Sequence, residues 1–249
     1  MIIDNTEGII SDLAGITSIS HFDIRPQQDS RIRDTYFDTK QGLLEKQQIS
    51  LRIRRLNRTR LLTIKSNPQS LSMMGVRRRE FELVWSYESI GRMARWLNLK
   101  TPVSSSRKFS RLRPSDVLTE MGLRMVQDRT TSRHASDIFR RDKPRTEPVA
   151  ELDFDQVTFL GKTRVQISEL EIEAKGKRSV GTIKEIGETL SSLYPEHLRE
   201  WPHGKFATGK TIQKLLTTGD LQRFLNGGRP KPEAFALIEQ TLLSQALVV

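Results

Sequence analysis

The stretch ELEIEAKG, residues 169–176, alternates acidic and apolar residues over its first five positions. Glu169, Glu171 and Glu173 are separated by one leucine and one isoleucine. In a β-strand, residues two positions apart point to the same face of the sheet. The stretch therefore predicts a strand with three carboxylates on one face and apolar side chains on the other.

The same two-residue period recurs in AELDFD at 150–155, LRIRR at 51–55 and RREFE at 78–82. The charged residues at alternate positions are Glu151, Asp153 and Asp155; Arg52 and Arg54; and Arg78, Glu80 and Glu82. An ionic face turned to solvent is the usual arrangement in a sheet that is covered on one side only. Like charges in a row repel one another, however, and the repetition of such rows favours a closed β-barrel with a charged interior.

The order of the predicted elements is that of an antiparallel α+β protein. Apolar residues at helical spacing predict helices at 4–16, 87–97, 180–193 and 233–249, with a further short helix after Pro114. Strand patterns cover 31–38, 49–56, 60–65, 77–85, 123–133, 149–159 and 164–175. The stretch NGGRPKP at 226–232 is typical of a linker.

The 249-residue chain has a formal net charge of +11 and an isoelectric point near 10.1, which predicts an anionic partner. Cysteine is absent, and the four histidines show no zinc-like spacing, so any metal must be held by carboxylates. No apolar run reaches the roughly 18 residues that span a bilayer, and the acidic start does not resemble a signal peptide. We therefore expect a cytoplasmic protein with no membrane partner.

Rows of acids and rows of bases on one sheet suit chemistry on phosphate groups. Mg²⁺ and Mn²⁺ prefer carboxylate oxygens and can bridge phosphate oxygens. Arg and Lys neutralise the remaining phosphate charge, and Arg does so through two parallel hydrogen bonds. The sequence therefore predicts a site for metal-assisted phosphoryl transfer.

Seven motifs, in order along the chain, resemble the CYTH family, the triphosphate tunnel metalloenzymes. They are DTYFDT at 34–39, LRIRR at 51–55, TIK at 63–65, RREFE at 78–82, AELDFD at 150–155, ELEIEAKG at 169–176 and GKFATG at 204–209. The resemblance implies an α+β fold whose centre is a closed or nearly closed eight-stranded antiparallel β-barrel, the triphosphate tunnel, with flanking helices. It also implies a CYTH-like domain at 1–225, followed by a linker and a C-terminal helix at 226–249.

The resemblance further implies ligands and residue roles. The family includes triphosphatases, class IV adenylyl cyclases and thiamine triphosphatase-like enzymes, which bind triphosphate compounds or polyphosphate and usually need Mg²⁺ or Mn²⁺. Phosphate binding is expected of Arg52, Arg54, Lys65, Arg78, Arg129, Arg133 and Lys205. Metal binding is expected of Glu80, Glu82, Glu151, Asp153, Glu169 and Glu171. Catalytic roles are expected of Glu169, Glu171, Lys65 and Arg54.

The sequence departs from the family at its start, because no E-x-E-x-K strand precedes Asp34. Either the native start lies upstream or part of the metal site is lost. Our leading expectation is a metal-dependent triphosphatase, a hydrolase of phosphoanhydride bonds. Two alternatives stay open, an adenylyl cyclase and a polyphosphate- or RNA-binding protein without catalysis. Nucleic acid is the less favoured partner, and a homodimer is a further expectation.

The stretch GKFATGKT at 204–211 also matches the P-loop pattern. A P-loop follows a buried strand, whereas the residues just before Gly204 are Trp201, Pro202 and His203. We therefore interpret Lys205 as a residue of the phosphate site and Lys210 as a helix or surface lysine.

Overall fold

The computed structural model describes residues 1–3, 7–66, 69–72, 75–77, 80–101, 109, 111–142, 147–176 and 180–246. Its strands are β1 Ile2–Ile3, β2 Ser18–Ile19, β3 Phe22–Pro26, β4 Ser30–Thr39, β5 Ser50–Leu56, β6 Thr59–Lys65, β7 Gln69–Ser72, β8 Gly75–Arg77, β9 Glu80–Val84, β10 Leu123–Arg140, β11 Ala150–Leu160, β12 Val165–Ala174, β13 Leu198–Arg199, β14 Leu225–Asn226 and β15 Arg229–Pro230. Its α-helices are α1 Glu7–Ala14, α2 Leu43–Lys46, α3 Tyr87–Trp96, α4 Pro114–Glu120, α5 Val180–Leu193, α6 Lys205–Thr218 and α7 Pro232–Ala246. The fold is α+β, with mostly antiparallel strands and flanking helices.

The chain divides into two compact units. The terminal unit comprises Met1–Arg31 and Thr130–Val249, and the central unit comprises Ile32–Arg129. Strand β10 contributes residues to both units. Within the described part of the chain, no helix has the length and the apolar character needed to cross a membrane.

In the central unit, β4, β5, β6 and β9 pair in that order as antiparallel neighbours, and β10 follows β4 on the other side. Alternate apolar residues such as Leu51, Ile53 and Leu62 are buried on one face, in a core shared with α3 and α4. Helix α3 begins after Ser86, whose side chain accepts a hydrogen bond from the backbone N–H of Ser89 at 3.1 Å. The intervening residues of β5 turn their charged side chains to the other face.

In the terminal unit, the sheet has the order β13-β1-β12-β11-β10, with β3 paired to β10 and β2 paired to β3. Phe22 of β3 and Ile186 of α5 belong to one buried core, which α1 also joins. Val157 of β11, Ile212 of α6 and Phe235 of α7 belong to another. These two cores fix the strands that carry the acidic residues.

Where the structure describes them, the predicted helices and strands are confirmed in order and type. Most of their ends shift by one to three residues, but the strand predicted at 123–133 continues to Arg140. The helix predicted at 4–16, for example, is found at Glu7–Ala14. The sequence pattern did not predict β1, because two residues are too few to show a period. Residues 226–232 include the second strand of a hairpin, β14–β15, in which Pro230 is buried.

The prediction of a closed or nearly closed eight-stranded antiparallel barrel is correct in the antiparallel pairing but wrong in the closure, for the described part of the chain. The strand order of the central unit ends at β9, that of the terminal unit ends at β13, and neither end pairs back to close a ring among the described residues. Alternation predicts which face of each strand is charged. Closure also needs strand number, tilt and register to agree, and these depend on pairings between distant segments of the chain.

Candidate functional site

Charged side chains gather into two clusters, one in each unit. The arginine cluster, in the central unit, consists of Asp34, Tyr36, Arg52, Arg54 and Arg129. The acidic cluster, in the terminal unit, consists of Glu151, Asp153, Asp155, Glu169, Glu171, Glu173, Arg133 and Lys205. Both arise because residues at alternate positions of paired strands point to the same face of a sheet.

The arginine cluster is built on cross-strand neighbours of β4 and β5. Asp34 lies opposite Arg54, and Tyr36 lies opposite Arg52. The Asp34 carboxylate accepts hydrogen bonds from Nε and Nη2 of Arg54 at 2.9 and 3.0 Å. It also accepts hydrogen bonds from Arg52 at 3.4 Å and from Arg129 of β10 at 3.0 Å. One buried carboxylate therefore contacts three guanidinium groups.

Tyr36 is a second anchor for two of these arginines. Its hydroxyl accepts hydrogen bonds from Arg129 at 2.8 Å and from Arg52 at 3.3 Å. The guanidinium carbon of Arg129 lies 5.0 Å from the centre of the Tyr36 ring, which is within the range of a cation–π interaction. Because each guanidinium is held at more than one point, its plane is fixed before any ligand arrives.

Burial makes the charge balance of the arginine cluster important. The side chains of Asp34, Arg52 and Arg129 are 2%, 6% and 3% exposed, and that of Arg54 is 21% exposed. Burial alone would raise the pKa of Asp34, but the hydrogen bonds from Arg54 and the charges of Arg52 and Arg129 outweigh it and hold that pKa well below its ordinary value. Asp34 offsets one of the three positive charges, and Glu80, which also contacts Arg52, is balanced by Lys65. A formal surplus of +2 remains, which favours an anionic ligand.

Lys65, Glu80 and Glu82 lie at the edge of the arginine cluster. Lys65 is opposite Glu80 across β6 and β9, and Thr63 is opposite Glu82. The ammonium of Lys65 lies 3.0 Å from the Glu80 carboxylate, and the Thr63 hydroxyl donates a hydrogen bond to Glu82 at 3.0 Å. Both carboxylates, which the sequence predicted as metal ligands, are therefore engaged by donors of the central unit.

The six carboxylates of the acidic cluster face one another across β11 and β12. The directly opposed pairs are Glu151 with Glu173, Asp153 with Glu171, and Asp155 with Glu169. Like charges in this position destabilise a sheet. Three successive pairs of this kind need positive charge, either from the chain itself or from a bound cation.

Two basic side chains enter the acidic cluster from other elements. Arg133 of β10 donates hydrogen bonds to Asp155 from Nε at 2.8 Å and from Nη2 at 2.6 Å. Lys205, the first residue of α6, lies 3.2 Å from Asp155 and 2.8 Å from Glu169, and it also pairs with Glu171. Burial alone would lower the pKa of Lys205, but these carboxylates outweigh it and hold that pKa above its ordinary value. Lys205 is therefore charged in the folded protein.

Asp153 and Glu169 keep part of their acceptor capacity unused. Asp153 is fully buried and pairs with Arg133, yet its Oδ1 accepts no hydrogen bond from the described residues. The Oε1 atom of Glu169 is likewise buried without a described donor. Burial, opposed by Arg133 and reinforced by Glu151, raises the pKa of Asp153 to about 7. The chain's own bases therefore do not satisfy this cluster fully.

The residues of the acidic cluster fit a divalent cation. Oxygens of Asp153, Glu171 and Glu173 lie within 4.8 Å of one another. Six carboxylates with three basic partners, the third being Lys175 beside Glu151, leave a formal surplus of −3. Carboxylate oxygens are the ligands that Mg²⁺ and Mn²⁺ prefer. Buried carboxylate oxygens that accept no hydrogen bond, in a cluster of net negative charge, are thus suitable ligands for such an ion.

The structure brings the predicted site residues together within each unit. Those of the central unit are Arg52, Arg54, Lys65, Glu80, Glu82 and Arg129, and those of the terminal unit are Arg133, Glu151, Asp153, Glu169, Glu171 and Lys205. Arg78 lies outside the described residues. Sequence reasoning assigned no role to Asp34, Tyr36 or Asp155. The signal was present, because Asp34 and Tyr36 alternate in DTYFDT and Asp155 ends an acidic row.

A family model described as the CYTH domain matches residues 9–199. No curated protein matches the chain significantly. Among solved structures, HpAC1 from Hippeastrum, a candidate adenylyl cyclase with a dominant triphosphatase activity, is 18% identical, with a TM-score of 0.52 over 85% of this chain and 93% of its own. The PH1819 protein from Pyrococcus horikoshii OT3 is 16% identical, with a TM-score of 0.49 over 87% of this chain and 97% of its own. Because the family model covers most of its length, this chain belongs to the CYTH domain family.

Proposed function

We propose that this protein hydrolyses the terminal phosphoanhydride bond of an inorganic or organic triphosphate, with Mg²⁺ or Mn²⁺ as cofactor. One observation carries the proposal: the chain contains two charged clusters of opposite surplus, +2 among the arginines and −3 among the acids. A polyphosphate group and a divalent cation are the ligands that match these charges. Membership of the CYTH family, whose members are triphosphatases or cyclases, supports the same reading.

The arginine cluster would bind the phosphate groups. Arg54 is 21% exposed and Lys65 is 31% exposed, so a ligand can reach both cationic groups. Arg52 and Arg129 are buried and held by Asp34, so they would act on the ligand without having to reorganise. Preorganised donors of this kind stabilise charge that develops on phosphate oxygens as the bond breaks.

The acidic cluster would hold the cation. Asp153, Glu171 and Glu173 offer oxygens that lie together, and Glu169 offers a buried oxygen without a donor. A bound Mg²⁺ or Mn²⁺ would supply positive charge and activation of water. Arg133 and Lys205 would keep the remaining carboxylates from repelling one another.

The reaction consumes one water molecule. Its oxygen bonds to the terminal phosphorus, the bond from that phosphorus to the bridging oxygen breaks, and the diphosphate part leaves. The water also loses a proton, and Glu169 and Glu171 are our candidates for the base that accepts it. Arg54 and Lys65 are our candidates for stabilising the charge on the leaving group.

The test is phosphate release from inorganic triphosphate and from ATP by the purified protein, with Mg²⁺, with Mn²⁺ and with a chelator. We expect release that stops with the chelator and falls at least roughly 100-fold in Glu169→Gln and in Glu171→Gln. Glu188→Gln is the matched control, because Glu188 is an exposed acid on α5 of the same unit. Wild-type rates in both site variants would contradict the proposal.

The product formed from ATP separates hydrolysis from a second candidate, adenylyl cyclase, which the description of HpAC1 makes worth testing. Hydrolysis yields ADP and phosphate. Cyclisation bonds the ribose 3′ oxygen to the α-phosphorus and releases pyrophosphate. Cyclic AMP with pyrophosphate would replace the proposal by the cyclase, and tight binding of triphosphate without either product would indicate a protein that binds polyanions only.

A further inference from the structure

The sheet of the central unit carries a second group of arginines, on the face opposite the arginine cluster. Arg55 lies directly opposite Arg33 of β4 and directly opposite Arg60 of β6. Arg58 lies in the turn that joins β5 to β6. Because Arg55 follows Arg54 on the same strand, its side chain points to the other face. We call Arg33, Arg55, Arg58 and Arg60 the arginine row.

The arginine row has little compensating negative charge. Arg55, Arg58 and Arg60 are exposed, and no carboxylate of the described residues lies within ion-pair distance of them. Asp128 of β10 binds Arg33 through two hydrogen bonds, at 3.1 and 2.6 Å. Four guanidinium groups with one carboxylate leave a formal surplus of +3.

Stability alone does not account for such a row. Like charges directly opposite each other in a sheet are destabilising, and salt screens this repulsion without reversing it. Neighbouring strands lie about 4.8 Å apart, so Arg33, Arg55 and Arg60 present their charges along about 10 Å of surface. Because Asp128 already binds the paired donors of Arg33, the donors that a linear polyanion can follow are those of Arg55, Arg58 and Arg60.

We propose that the arginine row binds a chain of inorganic polyphosphate, at a surface separate from the arginine cluster. Guanidinium groups bind phosphate through two parallel hydrogen bonds, and a line of them matches a line of phosphates. Single-stranded RNA fits less well, because its binding surfaces add aromatic platforms for the bases. Trp85 lies next to the row, because its backbone N–H donates to the carbonyl of Arg60. One face of its ring is already stacked on Phe109, with ring centres 5.3 Å apart, so that face is not available to a base.

The test variant combines Arg55→Gln, Arg58→Gln and Arg60→Gln in the full chain. Its affinity for labelled long-chain inorganic polyphosphate is measured by fluorescence anisotropy over a series of salt concentrations. We expect at least a roughly tenfold loss of affinity at low salt, and a salt slope that falls by about 1 for each phosphate group that the row no longer neutralises. The readout is binding, so its outcome is independent of whether the protein hydrolyses triphosphate.

The matched control combines Lys40→Gln, Lys46→Gln and Lys100→Gln, which removes three exposed positive charges elsewhere in the same unit. We expect this control to bind polyphosphate nearly as well as the wild type. An equal loss in the control, or wild-type affinity and salt slope in the test variant, would overturn the proposal. So would displacement of polyphosphate by single-stranded RNA of the same charge at equal concentration.

Two further measurements separate binding from folding. Thermal unfolding of the test variant is expected at the wild-type temperature or above it, because repulsion within the row has been removed. Arg55→Lys with Arg60→Lys keeps the charge and removes the paired donors, so we expect an unchanged salt slope with a several-fold weaker affinity. Affinity equal to that of the wild type in this lysine variant would overturn the role of the guanidinium groups.

Discussion

The arginine cluster and the acidic cluster are built in the same way with opposite charge. In each, alternate residues on antiparallel strands place like charges on one face, and a smaller number of opposite charges holds them together. Asp34 does this for three arginines, whereas Arg133 and Lys205 do it for four of the six carboxylates, Asp153, Asp155, Glu169 and Glu171. The minority charge lets each cluster fold, and the surplus that remains determines which ligand the cluster can accept.

The two clusters differ in how their surroundings shift the pKa of a buried carboxylate. In the arginine cluster the minority charge, Asp34, is almost fully buried, and its pKa is lowered by its partners. In the acidic cluster Asp153, one of the six carboxylates, is fully buried, and its pKa is raised by that burial and by its negative neighbours. The carboxylate that holds the arginine cluster together is therefore already ionised before a ligand binds, while the acidic cluster gains stability when a cation binds.

Removal of Asp34 is expected to cause the largest loss of stability in either cluster. Asp34→Ala leaves three guanidinium groups without their shared carboxylate, so we expect the free energy of unfolding to fall by about 3–5 kcal/mol. Chemical denaturation at pH 7 measures the change. Asp116→Asn is the control, because Asp116 forms an exposed pair with Arg113 in the same unit and its removal should change the free energy of unfolding little. Equal losses in the two variants would refute the role of Asp34.

Removal of Lys205 is the corresponding change in the acidic cluster, with a smaller expected effect because Arg133 remains. We expect Lys205→Met to lower the free energy of unfolding by about 3 kcal/mol. Mg²⁺ at 100 times its dissociation constant should restore about 2.7 kcal/mol, while Asp34→Ala should gain no more than the wild type. Denaturation with MgCl₂ and with NaCl of equal ionic strength measures this, and equal rescue by NaCl would contradict a cation site.

The two clusters are also expected to respond oppositely to pH. The folded pKa of Asp153, about 7, lies above its ordinary value of 3.8, so its contribution to stability falls as pH rises from about 4 to about 7. The folded pKa of Asp34 is lowered, so its contribution is present above about pH 4 and is lost as pH falls below that. Asp153→Asn should therefore stabilise the protein at pH 8 by up to about 4 kcal/mol, with little effect at pH 4. Denaturation without divalent cations at the two pH values measures this, and an equal effect at both would contradict it.

The rows of charge were predictable from sequence because the two-residue period of a strand is local. Arg52 and Arg54, and likewise Glu169 and Glu171, were predicted on one strand face each, and the strand registers confirm this. The minority charges were harder to assign. Asp34 and Arg129 are 95 residues apart in sequence and meet at 3.0 Å, and no local pattern predicts such a pairing.

Barrel closure and the placement of Glu80 depended on the same kind of distant information. The sequence grouped Glu80 with the other acids as a metal ligand, because residue type and spacing were the only guides. Its neighbours in space are set by the pairing of β6 with β9, which places it opposite Lys65. The sequence therefore predicts whether a row of side chains on one strand face is positive or negative better than it predicts which residue each of them will contact.

Glu80→Gln is expected to have the smallest effect on stability. It tests whether Glu80 neutralises the basic side chains beside it or binds the metal ion. The Glu80 side chain is 39% exposed and lies 3.0 Å from Lys65 and 3.4 Å from Arg52, so we expect a loss of stability below about 1 kcal/mol. Because the substitution adds to the positive surplus, tripolyphosphate should bind several-fold more tightly without metal, as measured by calorimetry. Unchanged tripolyphosphate affinity with weaker Mg²⁺ binding would instead support the metal-ligand role that the sequence predicted, and would show that the acids needed for the cation are not confined to the acidic cluster.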